Sequence, residues 1–190
     1  MCGKPIEAVK TGVSTLIHSL EEQHVSDVAF LSVITFDREA KVLIPLTKLG
    51  EFVPPNLTAV VNTPSNLGKA LQLLSHQCNE ELIKTTQDHE GDYCPIIVVM
   101  TDGFLSDIQL LNKMTEELKK HRFAKIIACA FVSDRSEPDI GTLRKITDSI
   151  LLSGELNHIT LGRFWQLISN DDDQGSWLDG VPPSGIRLVV

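Results

Sequence analysis

The stretch that most constrains this chain is Pro95, Ile96, Ile97, Val98, Val99, Met100, Thr101, Asp102 and Gly103. An unbroken apolar run of strand length that ends in a carboxylate and a glycine reads as a strand buried on both faces, opening into a loop at its carboxyl end. Such a strand needs cover from two sides, which helices crossing between parallel strands supply. In open α/β sheets, the carboxyl edge is where ligands bind. Asp102 therefore stands at the position from which a site would be built.

The rest of the chain repeats the pattern. Pro5 and Glu7 suit a first helical turn, and Ile6, Val9, Val13, Ile17 and Leu20 recur at helical spacing. Residues 28–36 form a second strand apolar on both faces, and a polar turn at Asp37, Arg38 and Glu39 leads into residues 40–46. Lys41 interrupts that strand and Pro45 cannot donate to a ladder, so it is expected as an antiparallel edge. Pro54, Pro55 and Pro64 punctuate an irregular stretch before Leu67, Leu71, Leu74, Cys78 and Leu82 mark a helix that Ser65 or Asn66 would cap. Beyond Gly103, Ser106 is expected to cap a helix with Ile108, Leu111, Thr115 and Leu118 on one face, and residues 125–132 form another doubly apolar strand. A shorter helix over 136–146, a last strand at 150–152 and a final helix lined by Leu161, Phe164, Trp165 and Ile168 complete the order. These elements predict an α/β, three-layer, doubly wound and mainly parallel sheet with an antiparallel edge strand. Residues 1–190 read as a single domain, with 171–190 an acidic, proline-containing C-terminal tail. Asp171, Asp172 and Asp173 in that tail are expected to be a solvated run.

Composition narrows the function. Seventeen basic residues stand against 25 acidic ones, a net charge of -8, where a nucleic-acid partner calls for a clustered basic face. The dense basic run Lys119, Lys120, His121 and Arg122 falls where a helix ends, and a solvated helix terminus complementing the dipole is the expected reading. Cys2, Cys78, Cys94 and Cys129 are scattered, with no zinc or redox spacing, and are expected to be reduced. No apolar run is long enough to span a bilayer and no signal pattern opens the chain, so the reading is no membrane and a cytoplasmic location.

At the strand ends, Asp102 alone is compatible with catalysis, metal binding or helix capping. Ser65 sits at a loop-to-helix junction, where a hydroxyl either caps the helix or ligates a hard cation; taken alone, capping is favoured. Asp37 is expected to serve its hairpin turn. The chain has no phosphate-cradling glycine loop, nucleophile elbow or zinc-protease motif, and its six histidines are dispersed. A phosphoryl-transfer site at Asp102 would call for further acids and a cation aimed at phosphate.

Four segments carry a family resemblance: residues 1–9 (MCGKPIEAV), 31–37 (LSVITFD), 66–71 (NLGKAL) and 98–103 (VVMTDG). In order and spacing they resemble a von Willebrand factor A-type domain, in particular the bacterial tellurite-resistance, TerY-like branch. The resemblance implies a Rossmann-type doubly wound sheet with a metal-ion-dependent adhesion site at its carboxyl edge. That site takes an Asp-x-Ser-x-Ser loop after the first strand, a threonine from a second loop and an aspartate after a later strand. Asp102 matches the aspartate. Ser65 falls at the threonine position and keeps the hydroxyl, with Thr63 a register alternative; Pro64 departs from the small residue usual there.

The resemblance also implies a first central strand and an Asp-x-Ser-x-Ser loop directly before the residues matching Met1, Cys2 and Gly3. This chain lacks both, so two apolar strand edges are expected to face a gap. A shortened start, a degenerate paralogue, or a gap filled by another chain or by residues 186–190 would each account for this; the first is preferred because the remaining pattern is intact. The function implied is a non-enzymatic protein-interaction module, with Mg2+ in the intact family and weak or absent binding here. A partner protein would supply a carboxylate to the metal, a protein kinase and a phosphatase would be associated partners, and the setting would be tellurite or general stress response. The alternatives are a metal-dependent phosphotransfer or hydrolytic enzyme using Asp102, and a metal-free scaffold.

Overall fold

A computed structural model describes residues 4–22, 26–58, 63–83, 86, 88, 91–102, 104–131 and 138–153. The elements run α1 (Lys4–Glu22), β1 (Phe30–Phe36), β2 (Ala40–Lys48), a 3-10 turn (Leu49–Glu51), α2 (Leu67–Glu81), β3 (Ile96–Thr101), α3 (Ile108–Leu118), β4 (Lys125–Phe131), α4 (Ile140–Leu143) and β5 (Ser149–Ser153). The final helix expected at 161–168 and the tail at 171–190 lie outside the described residues.

The strands form two sheets. β3, β4 and β5 make a parallel sheet with β4 in the middle, and β1 pairs with β2 in an antiparallel hairpin. The hairpin register slips twice: β1 advances from Leu31 to Val33 while β2 retreats from Thr47 to Ile44, and from Val33 to Ile34 while β2 moves from Ile44 to Val42. Each slip leaves an extra residue on β2, and Pro45, which has no amide to offer, falls in the first.

Both sheets are sandwiched by the same helices. On one side, α1 lays Val9, Val13, Leu16, Ile17 and Leu20 against Leu31 and Val33 of β1, against Ile96, Val98 and Met100 of β3, and against Ile127 and Cys129 of β4. On the other, Leu67, Ala70, Leu71, Leu74 and Cys78 of α2 join Leu111, Met114 and Leu118 of α3 over Ile34, Ile97, Val99, Ala128 and Ala130. Alternate residues of β1 and β3 thus feed the same two clusters, as the period of two in a strand requires. Every residue of β3 is buried, which accounts for its uninterrupted apolar sequence. Yet β1 and β3 are not hydrogen-bonded neighbours, and a small apolar cavity is lined by Phe36 of β1, Leu67, Leu71 and Leu74 of α2 and Ile97, Val98 and Val99 of β3.

Two local expectations are corrected. Ser106 does not cap α3; the N-cap residue is Asp107, whose carboxylate is directed elsewhere. The helix expected over 136–146 is a single turn, started by Asp139, which accepts from the Thr142 amide at 3.0 Å. It ends in tightened bonds from Lys145 to Thr142 and from Ile146 to Leu143.

Candidate site at the carboxyl edge

Three loops meet at the carboxyl ends of β1 and β3. The β1–β2 turn is closed by Asp37, whose Oδ1 accepts from the Glu39 amide at 3.0 Å, the local turn bond that short acidic side chains form. This turn is tied to the start of α2. The Asp37 carbonyl accepts from the Asn66 amide at 2.9 Å, while Asn66 Nδ2 and Lys69 Nζ both donate to the Arg38 carbonyl, at 2.9 and 3.0 Å. Lys69 also reaches Glu39 at 2.6 Å.

The loop before α2 is tied in turn to the loop after β3. Ser65 and Leu105 form an isolated parallel bridge. The Ser106 amide donates to the Ser65 carbonyl at 3.0 Å, and the Ser65 amide donates to Ser106 Oγ at 3.3 Å. Asp102, half-buried at the end of β3, accepts a long 3.5 Å contact from the Phe104 amide. The structure therefore brings Ser65 and the loop that begins at Asp102 to one edge, with Asp37 at the neighbouring corner.

The capping roles differ from those expected. The first amides of α2 are satisfied by Asp107, which accepts from Gly68 at 3.1 Å and from Lys69 at 2.9 Å. Asn66, at the N-cap position, makes no side-chain capping bond. A carboxylate from one helix start thus neutralises the N-terminus of another, where both the amides and the dipole favour negative charge. This close approach depends on Gly68: a Cβ there would lie 2.5 Å from the Leu111 amide nitrogen and 2.8 Å from Asp107 Oδ2. Ser65 is consequently relieved of capping, and Asp102 caps no helix either, since α3 begins only at Ile108. Asp107 was missed because Ser106 beside it reads as the cap of α3, and nothing local points its carboxylate to another helix. The signal that could have found it is Gly68, a glycine inside the first turn of a helix, where alanine would be favoured unless another backbone comes close.

For a hard divalent cation, the Ser65 hydroxyl and the Asp102 carboxylate are suitable in kind, because magnesium takes oxygen ligands and keeps several waters. They are short in number: among the described residues no group of three or more His, Cys, Asp or Glu side chains is placed to hold a metal.

No protein-family model matches the sequence, and no curated protein is significantly similar to it. Among solved structures, the fold is similar to the crystal structure of a conserved hypothetical protein, BatB, from Bacteroides thetaiotaomicron, with a TM-score of 0.52 and 15% identity over 86% of each chain. At that identity the likeness concerns the fold alone. Among the described residues, no helix is long and apolar enough to cross a membrane.

Proposed function

We propose that this chain is a non-enzymatic protein-interaction module of the von Willebrand A type, whose carboxyl edge, around Asp102 and Ser65, receives a carboxylate from a partner protein. The observation that carries the reading is the convergence of three loops at that edge, which gathers Ser65 and the loop that begins at Asp102. Loop residues gathered at the carboxyl edge of an α/β sheet are candidates for contact with a ligand or partner. In this reading the two sheets are halves of one doubly wound sheet, and the likeness to BatB supports a fold of this kind. The tellurite-resistance branch, a cytoplasmic setting, and a kinase and phosphatase as partners are finer parts of the proposal that rest on the four sequence segments.

With Ser65 and Asp102 as its protein ligands, the chain should bind magnesium weakly. Titration calorimetry at micromolar protein is expected to show no saturable heat with MgCl2; tight, stoichiometric binding would refute this. Capture of a defined partner should be lost in Asp102→Ala with the fold intact, and no generic phosphoester should be turned over. Magnesium-dependent turnover that disappears in the same variant would sink the module reading in favour of an enzyme.

A further inference from the structure

Two buried strand edges in this protein face each other without a ladder. The loops after β1 and β3 are tied together at one edge, so the strands run alongside in the same direction, and α1 and α2 each cover residues of both. Yet their Cα atoms come within 8 Å of each other almost nowhere. Laddered strands stand about 4.8 Å apart, and two strands flanking a third stand about twice that.

The backbone in this seam is short of partners. Leu31, Ser32, Val33 and Ile34 of β1 and Ile96, Ile97, Val98, Val99 and Met100 of β3 are buried. Among the described residues, no ladder or loop bond serves the backbone of β1 on the side away from β2, or of residues 96–100 on the side away from β4. Buried amides and carbonyls are nearly always paired, and an extended backbone is what offers donors and acceptors at the spacing of two strand edges. The small apolar cavity beside Phe36, Ile97, Val98 and Val99 marks the same seam as underfilled on its α2 side.

A slot covered by helices on both faces calls for a short segment apolar on both faces. Ile186, Arg187, Leu188, Val189 and Val190, which lie outside the described residues, have that character, with Pro182, Pro183 and Gly185 before them to break any regular structure. The reach is sufficient. With β4 and β5 on the far side of β3, the slot is three strand spacings, about 14 Å, from β5, and residues 154–185 would cover about 48 Å even as continuous helix. Because β5 is parallel to β3 through β4, it ends at the carboxyl edge. A segment entering there runs antiparallel to β3, keeps Arg187 at the mouth in reach of water and of the acids Asp37 and Asp102, and carries Leu188, Val189 and Val190 inward.

We infer that residues 186–190 enter this slot as a strand between β1 and β3 and join the two sheets. Successive side chains of a strand point to opposite faces, so Leu188 and Val189 pack against the α1 layer and the α2 layer, one to each. A strand this short opens locally at low cost, so it protects the facing edges less than β4 is protected by its two neighbours. The inference does not rest on the interaction reading of the carboxyl edge.

Nuclear Overhauser contacts in the full chain test it. Protons of Leu188 and Val189 are expected to contact both β1 and β3, and in a mixture of isotope-labelled and unlabelled copies these contacts are expected to stay within one chain. Leu188→Pro removes an amide from the segment and disfavours a place in a central ladder. Loss of one hydrogen bond shifts an equilibrium by about tenfold, so β1 amides turned away from β2 should exchange faster in this variant by at least that factor. Val189→Ala keeps the backbone and removes packing; it should act in the same direction, and it serves alone if the proline variant does not fold. Contacts of 186–190 with neither strand, contacts made only between copies, a different segment found between β1 and β3, or unchanged exchange in the folded variants would overturn the proposal.

Discussion

Gly68 and Asp107 show how one residue's identity can be set by another element. A methyl group at position 68 would meet the Leu111 backbone at 2.5 Å and displace the Asp107 carboxylate that holds the Gly68 and Lys69 amides. Gly68→Ala, stabilising in an isolated helix, is therefore expected to destabilise this protein by about 2 kcal/mol, as overpacking does. Asp107→Ala should cost about 1 kcal/mol through loss of a helix cap, and urea midpoints of the single and double variants should show the two effects to be non-additive. Cys129 carries a pH dependence. It is 4% exposed, and burial pushes its thiol from an ordinary 9.0 up to about 12. Below about pH 9 the thiol is protonated in both folded and unfolded chains and contributes no slope. Between the two values the unfolded chain releases a proton that the folded chain retains, so stability falls by about 1.4 kcal/mol per pH unit. Urea midpoints of wild type and Cys129→Val should differ by a constant amount up to about pH 9 and then converge, as wild type loses stability that the variant keeps.

At the scale of elements, strong periodicity was legible and cross-element chemistry was not. The stripes Val9, Val13, Ile17 and Leu20 and Leu67, Leu71, Leu74 and Cys78 are buried where their spacing placed them, because an apolar face has no other stable destination. Lys41 and Pro45 correctly marked β2 as the antiparallel partner of β1. The short α4 was overextended because Ile140 to Ile146 keeps a helical pattern, whereas its backbone tightens after the first turn. Of the candidate site, Asp102 and Ser65 were read from strand ends and resemblance. What could not be read was who caps α2, since hydrogen bonds that join residues nearly 40 positions apart leave no local periodicity.

For the whole molecule, the division between β1 and β3 matters most. Their side chains share the same buried clusters, but among the described residues backbone ladders run only within each sheet. Native-state hydrogen exchange should separate these two contributions. Amides of Ile127, Ala128 and Cys129, in the strand paired on both sides, are expected to be the slowest, with β1 amides turned away from β2 markedly faster despite similar burial. Equal protection of both would mean that the two sheets share a ladder. The division also has a mechanical meaning. Pulled apart between the hairpin and the three-stranded sheet, the described residues resist through side-chain packing against α1 and α2 and through bonds such as those at residues 37, 65 and 66, with no row of backbone bonds among them loaded in shear. The protein should part along that line at low force, in a first step that leaves β3, β4 and β5 joined, and the seam would then set the force at which the domain yields.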